Sequence, residues 1–152
     1  MDDRVHVRRL RDEDRAGWEE LWDGYLRFYR AELTGAITDS AFTRLRDGEE
    51  GMLGLVAADA ADRPVGLAHL VFHPTTWSTA GYCYLEDLYV GPEGRGGGVA
   101  RALFDGVYAA ARERGVERVY WHTQQFNAPA RSLYDVVGRL TSFVVYEHEL
   151  GD

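Results

Sequence analysis

The sequence predicts a single domain of mixed α/β class. Its 152 residues, 45% of them hydrophobic, suffice for one buried core and leave no room for a second domain of useful size. The spacing of apolar residues changes between steps of two, typical of strands, and steps of three or four, typical of helices. No linker, repeat or low-complexity tract divides the chain. The predicted order of elements is β, α, α, β, β, β, α, β, α, β.

The first third of the chain is predicted to form one strand and two helices. Apolar residues within residues 5–10 indicate a short strand. Acidic residues precede a helix that is predicted from residue 18 to about residue 33. Its apolar face consists of Trp18, Leu21, Trp22, Tyr25, Leu26 and Tyr29. Phe42 and Leu45 indicate a second, short helix over residues 39–47.

Three strands are predicted next. Residues 52–58 and 65–72 are apolar stretches joined by Ala61-Asp62-Arg63-Pro64, a segment typical of a hairpin connection, so these two strands are expected to be antiparallel neighbours. A turn-forming segment then leads into a strand over residues 82–90. This strand is rich in tyrosine and branched side chains and stops at Gly91-Pro92.

The last third alternates between helices and strands. A helix is predicted over residues 99–115, because small and aliphatic side chains recur every four residues and a glycine closes it. Residues 116–123 are predicted as a strand, and a helix follows over residues 127–138 with a proline in its first turn. Residues 143–150 are expected to close the chain as a strand. The stripe of the first of these helices is Val99, Leu103, Val107 and Ala111.

Charge and cysteine content narrow the classes of function. The 17 basic and 25 acidic residues give a net charge of −8 and a pI of about 5.1, which argues against nucleic acid as a partner. The single cysteine, Cys83, cannot form an intramolecular disulfide, so a cytoplasmic location is expected. The sequence shows neither a secretory signal nor a run of about 18 apolar residues, so no membrane association is expected.

A glycine-rich segment, residues 93–100, lies between a predicted strand and a predicted helix. Glycines at a helix N-terminus let unpaired backbone N–H groups approach a phosphate, although a cluster of glycines also suits a merely flexible turn. The segment lacks the Gly-Lys-Ser/Thr ending of a P-loop. It also fails the dinucleotide fingerprint, since Val99 or Arg101 falls where the last glycine or alanine is required.

The arrangement Arg95-Gly96-x-Gly98-x-Ala100 resembles the signature of the GCN5-related N-acetyltransferase (GNAT) superfamily. Asn127, followed by Tyr134 two turns later, resembles a second feature of these enzymes. The resemblance covers nearly the whole chain and implies a central, mostly antiparallel, twisted sheet flanked by helices. It also implies a loop that binds the pyrophosphate of coenzyme A, and a homodimer.

Within the superfamily, the chain looks most like the fungal histone, polyamine and D-amino-acid acetyltransferases. This likeness rests on five segments: residues 18–29, Thr75-Thr76-Trp77, Asp87-Leu88-Tyr89-Val90, Tyr120-Trp121 and Leu133-Tyr134. The strand Leu85-Glu86-Asp87-Leu88-Tyr89-Val90 also resembles that of diamine acetyltransferases.

The resemblance assigns cofactor-binding roles to ten residues. Backbone N–H groups of Leu88 and Val90 are implied to meet the pantetheine and the thioester oxygen. The remaining residues border the glycine loop or begin the last helix, and either arginine could instead be a solvated surface residue. The full set is Leu88, Val90, Arg95, Gly96, Gly97, Gly98, Val99, Ala100, Arg101 and Asn127.

Two side chains are candidates for proton transfer. Tyr134 is the candidate acid, because a phenol of ordinary pKa near 10 is protonated at neutral pH; the alternative is a core tyrosine. Glu86 is the candidate base, and a regular strand would place it on the same face as Leu88 and Val90, with Asp87 opposite. The alternative is that one of these acids pairs with an arginine.

Other polar residues receive structural interpretations. Asn127 is expected to cap the last helix with its side chain, a role compatible with a contact to pantetheine. Cys83 has no histidine at a spacing that would support a nucleophile, so a buried structural thiol is expected. His69 and His73 are four apart but fall on a predicted strand and turn, and no metal site is predicted.

These observations predict an acetyl-CoA-dependent N-acetyltransferase that acts by direct attack in a ternary complex. The expected acceptor is a primary amine of a small molecule, such as a polyamine, a diamine or an amino acid, and protein lysines stay open as acceptors. Two other classes also stay open: a non-catalytic domain that binds acyl-CoA, and a regulatory module that binds nucleotides.

Overall fold

The computed structural model of the protein describes residues 5–151. Its strands are β1 (His6–Arg9), β2 (Met52–Ala58), β3 (Pro64–Thr75), β4 (Ser78–Val90) and β5 (Val119–Tyr120). Its helices are α1 (Arg15–Phe28), α2 (Gly35–Asp47), α3 (Val99–Arg114) and α4 (Ala128–Val137). Three single-turn 3-10 helices precede α1, β2 and α3.

The five strands form one sheet in the order β1-β2-β3-β4-β5. The first three pairings are antiparallel and the last, between β4 and β5, is parallel. This confirms the predicted α/β class with a mostly antiparallel sheet. No helix in the described part of the chain has the length and apolar character that a membrane crossing requires.

The backbone contacts divide the chain into two compact units, with the division between His122 and Thr123. The first unit holds the sheet and helices α1 to α3, and the second holds α4 and the residues around it. The organisation of residues 1–152 as one domain stays a prediction.

One face of the sheet packs against α1 and α2. Trp18 of α1 is fully buried, and its ring lies 5.1 Å from that of Phe42 of α2. Both belong to a core cluster with Leu45, Val56 and Leu67. Each fully buried side chain of this size stabilises the fold by roughly 1.5–3 kcal/mol, so this cluster fixes α1 over the centre of the sheet.

The opposite face of the sheet packs against α3. Leu103, Phe104 and Val107 of this helix are fully buried. Gly66 of β3 allows the close approach, since a Cβ atom there would lie 3.1 Å from side-chain atoms of both Leu103 and Val99. The N-terminus of α3 is therefore fixed beside the end of β4 that pairs with Gly66.

The two helices of the first face differ in length from their predictions. Helix α1 ends at Phe28, five residues earlier than predicted, because Arg30 adopts a left-handed conformation and the Ala31 N–H bonds back to the Leu26 carbonyl. Helix α2 starts at Gly35, four residues earlier than predicted. The hydroxyl of Thr34 accepts a hydrogen bond from the Ile37 N–H and caps the helix there.

Two strand predictions were wrong in extent or existence. The strand predicted over residues 116–123 is reduced to the two residues of β5. Residues 143–150 form no strand, and the side chains of Phe143, Val144 and Tyr146 are 85%, 78% and 92% exposed. Apolar content and alternation make a segment suitable for a sheet, but a strand also needs a partner for its backbone groups. Within the described range, 5–151, residues 143–150 pair with no strand, and the Phe143 N–H donates to the nearby Thr141 hydroxyl instead.

A charge cluster ties the first strand to the loops at its end. Arg8 makes two hydrogen bonds to Asp14, of 2.8 and 2.9 Å, and a third of 2.9 Å to Asp62. Burial raises the pKa of Asp14, but the hydrogen bonds from Arg8 and from the Arg11 N–H outweigh burial and bring the pKa below its usual 3.8. The folded state therefore holds Asp14 as a carboxylate.

Replacing Asp14 with Asn is expected to lower the free energy of unfolding by about 2 kcal/mol, because Arg8 is left partly buried with only Asp62 as a partner. Because the pKa of Asp14 is lowered in the folded state, this contribution is present above its unfolded pKa and is lost as the pH falls through the folded value. Urea unfolding at pH 7 and at pH 3 measures both effects. Asp12→Asn in the same turn removes only an exposed pair with Arg46 and should cost less than about 0.5 kcal/mol. Equal losses in the two variants would contradict this account.

Candidate active site

Strand β4 contains a bulge at Glu86. Leu85 pairs with Leu70 and Asp87 pairs with His69, so two residues of β4, Glu86 and Asp87, lie opposite His69. A bulge of this kind leaves one residue outside the regular ladder and bends the strand. The bulge therefore brings two carboxylates to one position of the sheet.

The bulge corrects the predicted distribution of side chains over the two faces. Leu88 and Val90 pair with Ala68 and Gly66, which places them on the α3 face together with Leu85. Glu86 does not join them, as a regular strand would require. Its carboxylate interacts with Asp87 and His69 on the α1 face.

The backbone of β4 is exposed along one edge after Tyr84. The β4–β5 ladder contains two pairs, Cys83 with Val119 and Tyr84 with Tyr120, and no later pair within the described residues. The Gly91 N–H donates to Val65 of β3 at 2.9 Å. Because successive backbone groups of a strand point to alternate sides, the N–H groups of Val90 and Leu88 point away from β3, towards the open edge.

The glycine loop lies directly after this edge. Gly96 and Gly98 have φ values of +82° and +75°, and a Cβ atom at either would meet open space. The first hydrogen bond of α3 runs from the Ala102 N–H to the Gly98 carbonyl, at 3.0 Å. The N–H groups of Val99, Ala100 and Arg101 precede that bond, so they are free of the intrahelical ladder. The side chain of Val99 is buried, whereas Gly96, Gly97 and Gly98 are exposed.

The two arginines of this region are placed differently. Arg95 lies against the end of β4, where its Nε donates to the Val90 carbonyl at 3.3 Å. Arg101 is exposed on the first turn of α3 and forms an i,i+4 ion pair of 3.6 Å with Asp105. The two arginines flank the glycine loop in the sequence, one on each side of Gly96–Gly98. Exposed pairs of this length contribute little to stability, so the pair with Asp105 leaves Arg101 available for an anion.

The carboxyl of Glu86 is held in an environment that disfavours its charge. Burial and the negative charge of Asp87 raise the pKa of Glu86 above its usual 4.5, while His69 and His122 oppose the shift. An acid whose pKa is raised towards neutrality is better suited to accept and return a proton. Glu86 is nevertheless exposed to solvent, so a carboxyl with a raised pKa lies where it can exchange protons with water.

Aromatic and histidine side chains line the sheet beside Glu86. The Tyr84 hydroxyl lies 3.1 Å from Nδ1 of His122, and Nε2 of His73 lies 2.7 Å from the Tyr120 hydroxyl. The rings of Tyr84 and Tyr120 are 5.0 Å apart. Burial, followed by the charges of Glu86 and Asp87, raises the pKa of Tyr84 to about 12. Its hydroxyl stays protonated at neutral pH.

The predicted residues of the second unit lie on α4. Asn127 occupies the N-cap position, and its carbonyl accepts the Arg131 N–H at 3.0 Å. Its side chain makes no capping hydrogen bond, contrary to prediction, because its φ and ψ of −85° and 71° depart from the extended conformation typical of a cap. Tyr134 is half-buried on the same face of α4 as Leu133 and Val137.

The sequence analysis missed a buried polar chain next to the bulge, here called the Trp18 network: Trp18, His69, Asp87 and Tyr25. The Trp18 Nε1–H donates to Nε2 of His69 at 3.0 Å, and Nδ1 of His69 lies 2.8 Å from Oδ2 of Asp87. Tyr25 lies close enough to Asp87 for the carboxylate to raise the pKa of its phenol. From the sequence, Trp18 and Tyr25 belong to an aromatic stripe that is expected in the core and, by the resemblance to the superfamily, also at the border of the acceptor channel. His69 was considered only as a metal ligand. The described residues contain no group of three or more His, Cys, Asp or Glu that could hold a metal.

Comparison with known proteins decides the family. The profile described as "Acetyltransferase (GNAT) family" matches residues 9–138, which is most of the chain. The chain belongs to the GNAT acetyltransferase family. Members of this family use acetyl-CoA. The predicted family and the predicted enzyme class, N-acetyltransferase, are both confirmed.

Individual relatives of this GNAT acetyltransferase cover most of its length. It is 32% identical to the D-amino-acid N-acetyltransferase HPA3 of Saccharomyces cerevisiae over 148 residues. The aligned region covers 97% of this chain and 92% of that protein. This chain is 28% identical over 106 residues to the thialysine N-epsilon-acetyltransferase of Caenorhabditis elegans, across 70% of this chain and 66% of that protein. The structure of AAC(6')-Iy in complex with the bisubstrate analog CoA-S-monomethyl-acetylneamine matches with a TM-score of 0.81 at 14% identity, over 97% of this chain and 99% of that one. This last likeness shows the fold.

Replacing Glu86 with Gln is expected to raise the Tm slightly at pH 7. Because the folded protein holds the Glu86 proton more tightly than the unfolded chain does, stability falls as the pH rises through the folded pKa, and an uncharged side chain removes that loss. At pH 3, where the carboxyl is protonated in both states, the two Tm values should coincide. Scanning calorimetry at the two pH values measures this. Glu113→Gln, at an exposed position on α3, is the control. A lower Tm for Glu86→Gln at pH 7 would contradict the electrostatic assignment.

Proposed function

We propose that the protein is an acetyl-CoA-dependent N-acetyltransferase that acetylates a primary amine of a small molecule by direct attack in a ternary complex. The observation that supports this best is the continuity of the open edge of β4 with the glycine loop. The N–H groups of Leu88 and Val90 and those of the first turn of α3 follow one another along the chain. The amide carbonyls of a pantetheine arm and the oxygens of a pyrophosphate are hydrogen-bond acceptors that suit these two successive sets of N–H donors.

The residues of the loop fit the pyrophosphate of coenzyme A. Gly96 and Gly98 leave open the space that side chains would fill, and the free N–H groups of α3 lie at the positive end of a 16-residue helix. Arg95 and Arg101, on either side of the three glycines in the sequence, are proposed to turn their guanidinium groups towards the pyrophosphate. In this proposal residues 95–101 bind the pyrophosphate, and the bound acetyl-CoA supplies an activated acetyl thioester.

Glu86 is proposed to accept the proton of the acceptor amine. An ammonium group must lose a proton before its nitrogen can attack a carbonyl carbon, and the raised pKa of Glu86 suits an acceptor that later returns the proton to solvent. Asp87, opposite the same position of β3, supplies a second negative charge for a cationic substrate. In this assignment Glu86 moves the proton and Asp87 helps to hold the amine.

Tyr134 is proposed to donate a proton to the departing thiolate. A phenol hydroxyl is protonated at neutral pH and can protonate a thiolate as the C–S bond breaks. The position of Tyr134 on α4, seven residues after Asn127, matches the order found in the superfamily that the sequence resembles. Asn127, whose side chain makes no capping bond, is proposed to contact the pantetheine.

The acceptor is proposed to be a small cationic or zwitterionic amine. Two relatives support this by their names, since one is a D-amino-acid and the other a thialysine N-acetyltransferase. The paired carboxylates Glu86 and Asp87 favour a substrate with positive charge.

A cytoplasmic homodimer completes the proposal. Cys83 is a buried free thiol, and burial raises its pKa to about 12, which supports a structural role in a reducing compartment. The homodimer rests on the resemblance to the superfamily.

A panel of amines with acetyl-CoA tests the activity directly, with release of free thiol as the measurement. Turnover is expected with polyamines, lysine analogues or D-amino acids. Thermal stabilisation by coenzyme A without turnover on any amine, including a lysine peptide, would identify a non-catalytic acyl-CoA-binding domain instead. Stabilisation by ATP or NAD and not by coenzyme A would identify a nucleotide-binding module.

Replacing Gly98 with Val is expected to weaken coenzyme A binding at least about 100-fold, because the new side chain fills the open space and strains a φ of +75°. Gly115→Val is the matched control, since Gly115 has a φ of +83° at the opposite end of α3. That variant should lose comparable stability and retain coenzyme A binding. Isothermal titration with coenzyme A measures both. Retained affinity for coenzyme A in Gly98→Val would contradict the proposal that residues 95–101 bind its pyrophosphate.

Replacing Tyr134 with Phe is expected to lower kcat by about 100-fold or more, the scale of a lost general acid, while the affinity for acetyl-CoA changes little. Steady-state kinetics and direct binding of coenzyme A separate the two quantities. The control is Tyr146→Phe, at an exposed position of the second unit. Unchanged turnover in Tyr134→Phe would remove this residue as the acid.

A further inference from the structure

The Trp18 network fixes the protonation pattern of a buried histidine. The indole Nε1–H is only a donor, so Nε2 of His69 is the acceptor of their 3.0 Å hydrogen bond and carries no proton. The proton of the neutral ring therefore lies on Nδ1 and is donated to Oδ2 of Asp87, at 2.8 Å. One tautomer of His69 satisfies both contacts.

Burial makes this arrangement rigid. Trp18 is fully buried, and the side chains of His69 and Asp87 are 4% and 14% exposed. The ring of His69 is also enclosed by Trp22, whose centroid lies 5.2 Å away. A side chain packed on several sides has few rotamers available, so the direction of the Nδ1–H bond is set by the core itself.

Asp87 interacts with side chains of two elements. His69 of β3 is its hydrogen-bond partner, and Tyr25 of α1 lies near enough for the charge of Asp87 to act on its phenol. Burial raises the pKa of Tyr25, and the charge of Asp87 raises it further, so the phenol stays protonated. The Asp87 carboxylate, next to Glu86, therefore interacts with side chains of both β3 and α1.

We propose that His69 is a positioning residue that, through the tautomer required by both Trp18 and Asp87, orients Asp87 to receive the acceptor amine next to Glu86. This inference rests on the proposed acetylation of an amine. It assigns a functional reason to a polar chain in the centre of an apolar core. Burial of such groups is otherwise unfavourable, and an aliphatic side chain at position 69 would pack without it.

Two amide substitutions at position 69 separate the two hydrogen bonds of the ring. Asn places its amide N–H group about where Nδ1 lies, so His69→Asn retains the donor to Asp87 and loses the acceptor for Trp18. Gln reaches about as far as Nε2, so His69→Gln retains the acceptor for Trp18 and loses the donor to Asp87. The control is Val56→Ala, which removes packing from the same core cluster and leaves the side chains of all four network residues in place.

The measurements are KM and kcat for the amine, the Kd of coenzyme A, and the Tm of each variant. For His69→Gln we expect KM for the amine to rise about tenfold or more, the effect of one lost orienting hydrogen bond to a charged group. For His69→Asn we expect a rise of about threefold or less, at a similar loss of Tm. In all three variants the Kd of coenzyme A should stay within about twofold of wild type. Equal KM values for the two amide variants, or a matching rise in Val56→Ala, would overturn the positioning role.

The tautomer is tested independently of activity. Nitrogen-15 NMR of the histidine side chains at pH 7 should show His69 with a protonated Nδ1 and an unprotonated Nε2. Trp18→Phe should shift the Nε2 resonance by removing its hydrogen bond, while the Asp87 carboxylate keeps a proton on Nδ1. A protonated Nε2 in the wild type would overturn the inference. If no amine is acetylated by the wild type, the proposed function fails, and with it the role assigned to Asp87, whatever the tautomer of His69.

Discussion

One extra residue in one strand controls the arrangement of the site. Before Glu86, the β4 backbone group that faces β5 is that of Cys83, whose N–H donates to the Arg118 carbonyl at 2.8 Å. After the bulge, the groups that face the same edge are those of Leu88 and Val90. The extra residue therefore shifts the alternation of the strand by one position. Beyond it, even-numbered residues take the edge and the sheet face that odd-numbered residues take before it.

Because of the bulge, strand β4 presents two different sets of groups, backbone N–H donors along its edge and carboxylates on its α1 face. Its edge directs main-chain donors towards the glycine loop, while its α1 face carries the carboxylates of Glu86 and Asp87. The core on both faces is continuous and closely packed, with α1 and α2 on one side and α3 on the other. Because the sheet is fixed by these helices, the donors and the carboxylates are held at constant separation, which is the condition for positioning two reactants.

Features encoded by neighbouring residues could be predicted from the sequence. The glycine loop, the start of α3 at Val99 and its end at Gly115 depend on residues within a few positions of each other. The same is true of the hairpin between β2 and β3. Local signals of this kind also carried the resemblance to the family, because its motif is a backbone requirement for glycine at particular positions.

Features that depend on a partner distant in sequence could not be predicted. The bulge is defined by which residues of β3 lie opposite Glu86 and Asp87, and both residues are compatible with an unbroken strand. The contacts of His69 with Trp18 and Asp87 follow from that register. Since the sequence does not reveal the register, it suggested for His69 only a possible metal site shared with His73. Residues 143–150 have the pattern of a strand, but pattern does not supply the hydrogen-bonding partner that a strand requires.

The most direct test of this account is amide hydrogen exchange at individual residues, with and without coenzyme A. If the bulge turns backbone donors towards the ligand, the amides of Leu88 and Val90 and those of residues 96–101 will exchange more slowly when coenzyme A is bound, while the Gly91 amide, already bonded to Val65, will change little. Unaltered exchange at Leu88 and Val90 in a sample saturated with coenzyme A would contradict the account.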